Sequence, residues 1–593
     1  MRDPKIVLKH LASFKENQTV TDIYRYLYNP EFYKIAYQNI YSKPSQMTPD
    51  SNGKTVDGMS EERINKIIAK LKDKSYQPTN LRRVNIPKKS GGTRPIAIPS
   101  FEDKLIQEII RMILEALYEK SFSTNSHGFR PQKSCHTALV HLKQKARGTK
   151  WWIDCDISKC FENINHVILL NILKEKIREQ KFIALINKFL KAGYIENWVY
   201  HKTYSGTPQG SIISPILSNI YLDKLDKYME HLVGEFNRGS RRPVTKEYQS
   251  YQTRLAAMKT RIKKGINVEK NIEKYKIQHA EWRKYIKEHG HYDFKNPSFR
   301  RLSYVRYADD FLIGVIGSKK EALQIKNKIQ EFLKNTLKLE LNEEKSKIVH
   351  NSELVRFLGY GVSVTREESK TKLNGNICLW VEYETMKTFI INNRFGKFVC
   401  DAQTGKPRLK AIHRPELTTT NELENLFYYN SKIRGLYNYY KLASNVCKMA
   451  EFNYIVKMSF LKTLCYKHKT SVAKLYKNKN YCKNKKIGVT YKNKFYEFFN
   501  GPFNVVKKTK YEKNVDSIEN LNKYFSRNSL IKRMEANKCE YCGTDTGPFE
   551  IHHVRKLKDV KGKESWKQLM IARNRKTLVL CAVCHDKLHA GKL

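Results

Sequence analysis

Apolar positions along this chain repeat with two periods. Between Ser60 and Leu71 they return every three or four residues, at Ile64, Ile67, Ile68 and Leu71, which predicts a helix with one buried face. Residues 1–80 as a whole read as helical and basic. After Pro99 the helical period resumes on a broader face, with Leu105, Ile106, Ile109, Ile110, Ile113, Leu114 and Leu117, and Ser100 with Asp103 supplies the cap. Another amphipathic helix is predicted over 211–232. Strand signals stand between these helices: Leu81 to Pro87, closed by the turn Ser90-Gly91-Gly92, and the apolar run WWIDCDIS at 151–158. SYVRYADDFLIGVIG at 303–317 reads as strand, tight turn, strand. From about 375 to 470 the pattern is helical again, with Asn421 to Tyr440 rich in Tyr and Asn, followed by Tyr454 to Lys469.

Two stretches break these periods. Residues 233–300 are rich in Lys, Arg and Glu and read as a long charged helical insertion. Residues 471–530 are Lys-, Asn- and Tyr-rich with a weak apolar pattern, as in a linker or a nucleic-acid-binding segment. Residues 531–593 form a compact Cys/His module, and no internal repeat is visible. A chain of 593 residues is too long for one core, so about three to five units are expected.

Charge changes the picture. The chain carries 111 Lys and Arg against 58 Asp and Glu, a net +53 spread over its whole length. A polyanionic partner is the physical reading, because each neutralised phosphate releases counterions. The 36 Tyr and 26 Phe interleave with this charge and suit stacking on unpaired bases. Of 12 Cys, four sit in two pairs near the C-terminus, which is not a secreted disulfide framework. The N-terminus lacks an apolar signal core, and no apolar run of about 18 residues occurs. The expectation is a soluble, cytoplasmic, nucleic-acid-associated protein with no membrane partner.

Candidate chemistry gathers at two places. Asp309 and Asp310 sit in a tight turn between apolar strands, and Asp156 ends another such strand about 150 residues upstream. Three carboxylates converging from two strands can hold two Mg²⁺ ions, one activating a primer 3′-hydroxyl and one steadying a triphosphate. Asp154 shares a strand face with Asp156. Phe161 reads either as a ring beneath an incoming sugar or as a core aromatic. Gly206-Thr207-Pro208-Gln209-Gly210 is a loop whose glycines permit close backbone approach to a duplex. Lys88, Lys89 and Arg94 lie on a basic turn suited to a triphosphate, or simply a solvated one. At the C-terminus, Cys539-x₂-Cys542 and Cys581-x₂-Cys584 have the spacing of a closed zinc site made of four thiolates. His585 and His589 share a helix face, and with His552 they can hold a divalent cation while His553 activates water. These histidines also fit as extra zinc ligands or a basic knuckle.

The blocks IPKKSGGTRPIAIPSFEDKLIQE, SHGFRPQKSCHTAL, WWIDCDISKCFENINH, GTPQGSIISPILSNIYLDKLD, YVRYADDF and RFLGY follow one another in the order of retroelement reverse transcriptases. With SKIRGLYNYYKLASN and CxxC…IHHV…RKTLVLCAVCHDKLH, the whole chain resembles the group II intron-encoded maturases that carry an HNH endonuclease. The resemblance implies a multidomain α+β right-hand polymerase. Fingers and palm span 1–365, the maturase X domain or thumb 366–470, a basic DNA-binding segment 471–530, and a zinc-stapled ββα-metal HNH module 531–593. It implies Asp156, Asp309 and Asp310 as catalytic Mg²⁺ ligands, and Phe161 as the ribose-excluding residue. Gln209 and Gly210 would lie near nucleotide and template, Arg94 with Lys88 at the triphosphate, and Arg356 to Tyr360 at the primer. Lys345 or Lys347 would assist the leaving group. In the nuclease, His553 would be the base, and His552, His585 and His589 would hold a divalent cation, expected to be Mg²⁺. The family's Asn position is occupied by Lys576, with Asn574 two residues earlier. Implied partners are intron RNA in a ribonucleoprotein, a double-stranded DNA target and dNTPs, with the protein a monomer or dimer on RNA.

Overall fold

The computed structural model describes every residue except 1, 16, 42–43, 89–90, 290–291, 294–295, 366–374, 401–406, 507–529, 556, 558–559, 561, 563 and 574. Helices Pro4–Leu11, Pro30–Ile40 and Glu61–Lys72 gather with the long helix Phe101–Tyr118. Each begins where the sequence offers a cap: Asp3, Asn29, Ser60 and Ser100 all accept from backbone N–H groups of their first turns. Leu105, Ile109 and Ile113 are fully buried on the core face of Phe101–Tyr118.

Two four-stranded sheets follow. The first has the order Thr93–Ile98, Leu81–Pro87, Tyr194–Glu196, Val199–His201. The second has the order Arg301–Tyr307, Asp310–Ile316, Trp151–Asp156, Lys347–His350, all antiparallel. The strand alternation of Trp151–Asp156 sorts its residues between two cores. Ile153 and Cys155 pack with the N-terminal helices, whereas Trp152 faces Leu139, Val305 and Leu312. Asp154 and Asp156 share the face of Trp152, so that face turns from apolar to acidic along one strand.

The helix predicted over 211–232 runs from Ser214 to Phe236, and the charged insertion after it is two helices rather than one. Lys246–Lys263 and Val268–His289 form a hairpin, turned at Gly265 with φ of +71°, and Tyr251 meets Tyr285 across it at 5.6 Å. Beyond the second sheet, helices Tyr383–Asn392, Glu422–Tyr440 and Met449–His468 form a helical unit whose core, around Tyr429, Ile433, Val456 and Phe460, is continuous with the sheet face that carries Trp152.

Residues 471–506 differ from the linker reading. They form the helix Val472–Lys477 and a small sheet of Cys482–Lys483, Lys486–Tyr491 and Lys494–Glu497. Leu475, Ile487, Val489, Phe498 and Phe503 are buried in the core of the helical unit. Residues 507–529 of the expected DNA-binding segment lie outside the described residues, as does Asn574.

The C-terminal module is a ribbon of Phe549–His553 and Thr577–Cys581 flanked by Leu530–Glu535, Ser565–Ala572 and Ala582–His589. Its alternation is two-sided: Leu578 and Leu580 pack with the cysteine knuckles, while Ile551 and Val579 join the core of the N-terminal helices. Among the described residues, no helix is long and apolar enough to cross a membrane.

Candidate active sites

The register of the second sheet brings the predicted carboxylates together. Asp156 is paired directly with Asp310, and Asp309 sits beside it in a turn where Ala308 has φ of +58°. Paired residues on antiparallel strands project to the same face, so Asp154, Asp156 and Asp310 share one surface. Burial, together with the charges of Asp154, Asp156 and Asp309, pushes the Asp310 carboxyl up to about 7. Burial and Asp156 push Asp154 up to about 6. Burial raises Asp309 as well, with Arg94 and Lys345 acting against the rise. Lys345 Nζ lies 2.7 Å from Asp156 Oδ2. Lys347 is paired across the strands with Asp154 and acts against the rise of its carboxyl.

A surplus of buried negative charge is a fit for hard divalent cations. Among the described residues, Asp156, Asp309 and Asp310 do not close into a cluster around one ion, in contrast to two other groups in the chain. Two ions about 3.5–4 Å apart need a wider cradle than one ion does. A carboxyl raised from 3.8 to about 7 keeps its proton better folded than unfolded, so without cation the chain loses stability as pH rises through that interval. Cation affinity should fall about tenfold per pH unit below 7, since Mg²⁺ competes with the proton. The thermal shift produced by Mg²⁺ is therefore expected to be larger at pH 8 than at pH 6 and lost in Asp310→Asn. Equal shifts at both pH values in calorimetry would contradict this.

The carboxylate turn is braced from beneath by Arg306, which is fully buried. Its guanidinium donates to Asp226 at 2.8 and 2.5 Å, to Ser126 Oγ at 2.8 Å and to the Ala308 carbonyl at 2.8 Å. Tyr304 Oη donates to the same Asp226 at 2.7 Å. Gly128 lies against the turn so closely that a Cβ would stand 2.3 Å from Ala308 N. Removing one partner of a buried ion pair leaves the other uncompensated, so Arg306→Ala is expected to cost about 3–5 kcal/mol in urea unfolding. A loss below about 1 kcal/mol would show that Asp226 is not held by this pair.

The flanking loops converge on the same face. Gly210, at φ of +114°, would place a Cβ 2.3 Å from the Ala97 carbonyl, and Ala97 N–H donates to the Gln209 carbonyl at 2.6 Å. The loop is thereby docked on the strand that carries Arg94. Phe161 lies on the short helix Cys160–Asn163; its ring meets Phe129 edge-on at 6.2 Å, and its carbonyl accepts from Thr207 N–H at 2.6 Å. Gln209 Nε2 stands 3.4 Å from Glu162 Oε1. Arg94 and Lys88 are exposed on the first hairpin, where Lys88 N–H donates to the Gly92 carbonyl at 2.9 Å. Lys89 lies outside the described residues. Arg356 to Tyr360 form the turn between Val355–Phe357 and Tyr360–Val364. Tyr439 and Tyr440 donate to the carbonyls of Leu358 and Gly359 at 2.8 and 3.2 Å, tying this turn to the helical unit.

At the C-terminus the four cysteine sulfurs lie within 4.8 Å of one another, with Cys542 and Cys581 3.8 Å apart. A tetrahedral zinc with bonds near 2.3 Å spaces its sulfurs by about 3.8 Å, so the donor set fits. His552, His585 and His589 form a second group, separate from the cysteines. His585 Nε2 and His589 Nε2 are 3.2 Å apart, while Glu550 Oε2 holds His585 Nδ1 at 2.5 Å and turns its other nitrogen inward. Both ring nitrogens of His552 are buried, with Nδ1 3.4 Å from Asp57 Oδ1, so its polar atoms face the same cluster.

Three residues escaped sequence reading. Asp57 joins the histidine group from the N-terminal part of the chain. Burial works against its ionisation, but His552 and His585 hold its carboxyl well below the usual carboxylate range. Tyr37 Oη lies 2.6 Å from His553 Nε2, and burial pushes that imidazole down to about 3. Arg306 left a legible trace as a charge within a buried strand, whereas Asp57 and Tyr37 carry no local signal.

Comparison with known proteins matches three families along the chain. Residues 86–237 and 246–362 match the family described as reverse transcriptase (RNA-dependent DNA polymerase). Residues 385–534 match type II intron maturase, and 539–585 match the AI2M/AI1M-like HNH endonuclease. The chain is 41% identical over 606 residues to the group II intron-encoded protein LtrA of Lactococcus lactis subsp. cremoris, covering 99% of each. It is 36% identical over 590 residues to the putative COX1/OXI3 intron 2 protein of Saccharomyces cerevisiae, covering 94% of this chain and 65% of that one.

Proposed function

Because the chain belongs to the group II intron-encoded proteins and carries reverse transcriptase, maturase and HNH endonuclease domains, we propose that it performs target-primed reverse transcription for its intron. The observation that carries the polymerase part is the direct pairing of Asp156 with Asp310 beside Asp309. In this reading the fingers and palm span 1–365, the thumb 366–470, the DNA-binding segment 471–530 and the nuclease 531–593.

Asp156, Asp309 and Asp310 would hold two Mg²⁺ ions. Bound there, the ions supply a lowered pKa for the primer 3′-hydroxyl and charge neutralisation at the triphosphate. The protein's own part is positioning. Arg94 and Lys88 approach the dNTP phosphates from the fingers hairpin, and Lys345 lies where pyrophosphate leaves. Phe161 bounds the sugar, Gln209 and Gly210 shape the floor under the nascent pair, and Arg356 to Tyr360 hold the primer. In the nuclease, His552, His585 and His589 would orient the scissile phosphate through a divalent cation, expected to be Mg²⁺, while His553 accepts a proton from water. The four cysteines would bind structural Zn²⁺. The basic, tyrosine-rich surface of the helical unit would bind intron RNA, whose own chemistry carries out splicing. Double-stranded DNA and dNTPs complete the partners, and the ribonucleoprotein would act in the cytoplasm with one or two protein copies.

The direct test is extension of a DNA primer on an RNA template with Mg²⁺ and dNTPs. Extension is expected from the intact chain. Failure on several templates would sink the polymerase part and leave an RNA-binding maturase.

A further inference from the structure

The nuclease module is seated against the opposite end of the chain. Ile551 and Met59 form an antiparallel bridge, in which Ile551 N–H donates to the Met59 carbonyl at 3.0 Å and Gly58 N–H to the Ile551 carbonyl at 3.2 Å. The buried pair Ile551 and Val579 packs beneath this bridge. Lys34 Nζ adds an ion pair to Glu535 at 3.0 Å.

This seating carries Asp57 into the nuclease site. Its carboxylate oxygens lie 2.8 Å from His589 Nε2, 3.4 Å from His552 Nδ1 and 3.5 Å from His585 Nε2. Ligands about 2.1 Å from a tetrahedral cation are spaced by about 3.4 Å, so the four donors have the spacing of one closed site. A catalytic site keeps a position open for substrate, and a closed one does not. The general base is shut away at the same time. His553 is only 5% exposed, its Nε2 is engaged by Tyr37, its ring is flanked by Tyr37 and Tyr41, and its backbone N–H donates to Asp57 Oδ1 at 2.6 Å. A DNA phosphate cannot reach His553 while the N-terminal segment covers it.

We propose that Asp57 closes the nuclease of the resting chain: its carboxylate is the fourth ligand of the cation held by His552, His585 and His589, in the place of a scissile phosphate, and nicking requires DNA to displace the 57–59 segment. This rests on reading the C-terminal module as a nuclease. A nuclease kept shut until its target is engaged does not cut DNA met by chance.

The test uses the full zinc-loaded chain, with Mn²⁺ as the probe cation and no RNA. In hydrogen exchange, Mn²⁺ should slow residues 57–59 and 549–553 by about tenfold or more in the intact chain. In Asp57→Ala, and in the milder Asp57→Asn, that Mn²⁺-dependent slowing should vanish. Nicking of plasmid DNA by the same variants should rise by roughly fivefold or more. Slowing that persists in Asp57→Ala, or nicking that falls in it, would overturn the cap. Nicking unchanged by His553→Ala would instead overturn the nuclease reading beneath it.

Discussion

Asp309→Ala is expected to reduce RNA-templated DNA synthesis by about 10³-fold or more while leaving support of intron splicing within about twofold. The carboxylate belongs to a cradle in which Asp154, Asp156, Asp309 and Asp310 lie together, with Lys345 the cation in contact with Asp156. Loss of one ligand removes several kcal/mol of charge stabilisation at the transferring phosphate, and each 1.36 kcal/mol is about tenfold in rate. The fold should survive, because the brace at Arg306 bonds the Ala308 carbonyl and Asp226 rather than the Asp309 side chain. Primer extension and a splicing assay on the same preparation check both halves. Equal loss of both would mean that the variant is misfolded or that the carboxylates serve RNA binding.

Cys581→Ser should detach the nuclease from an otherwise working polymerase. The apolar core around the knuckles is small, with Met570, Leu578, Leu580 and Leu588 beside the cysteines. A module of this size usually needs a staple, and a structural zinc supplies about 10–16 kcal/mol of folding free energy. Elemental analysis should show one zinc lost per chain, and limited proteolysis should cleave after about residue 530. DNA nicking should fall by more than about 100-fold, while extension of a primer already annealed to RNA is retained. Nicking that persists without zinc would show that the ribbon is held by its Ile551 and Val579 contacts alone.

Local patterns were legible wherever one element decides the outcome. The strand Leu81–Pro87 and the helix over 60–71 follow from their periods, and Ser100 caps as expected. The carboxylates were legible because Asp156 ends a second apolar strand that can meet the Asp309–Asp310 turn, which alone would read as an ordinary turn. The cysteine spacing announced its own cluster. The sheet within 482–497 was not legible, since its alternation lasts only a few residues and is masked by lysines. Nor was the split of the charged insertion, which rests on one turn at Gly265. Asp57 was illegible in principle: its partners lie nearly 500 residues away, and only the docking of two chain ends creates its role. That Lys345 meets Asp156 while Lys347 lies opposite Asp154 likewise depends on the fold, which spacing alone does not fix.

Two sites would act in one reaction, and their coupling can be measured directly. A duplex DNA target labelled on the strand that the nuclease cuts is incubated with the intron ribonucleoprotein, Mg²⁺ and dNTPs, and the label is followed into longer products. The intact chain should convert label into DNA extended from the nick. His553→Ala should give no extended label on intact duplex but normal extension on a duplex nicked beforehand. Extension by His553→Ala on intact duplex, or none by the intact chain on the pre-nicked one, would contradict priming by the protein's own cut.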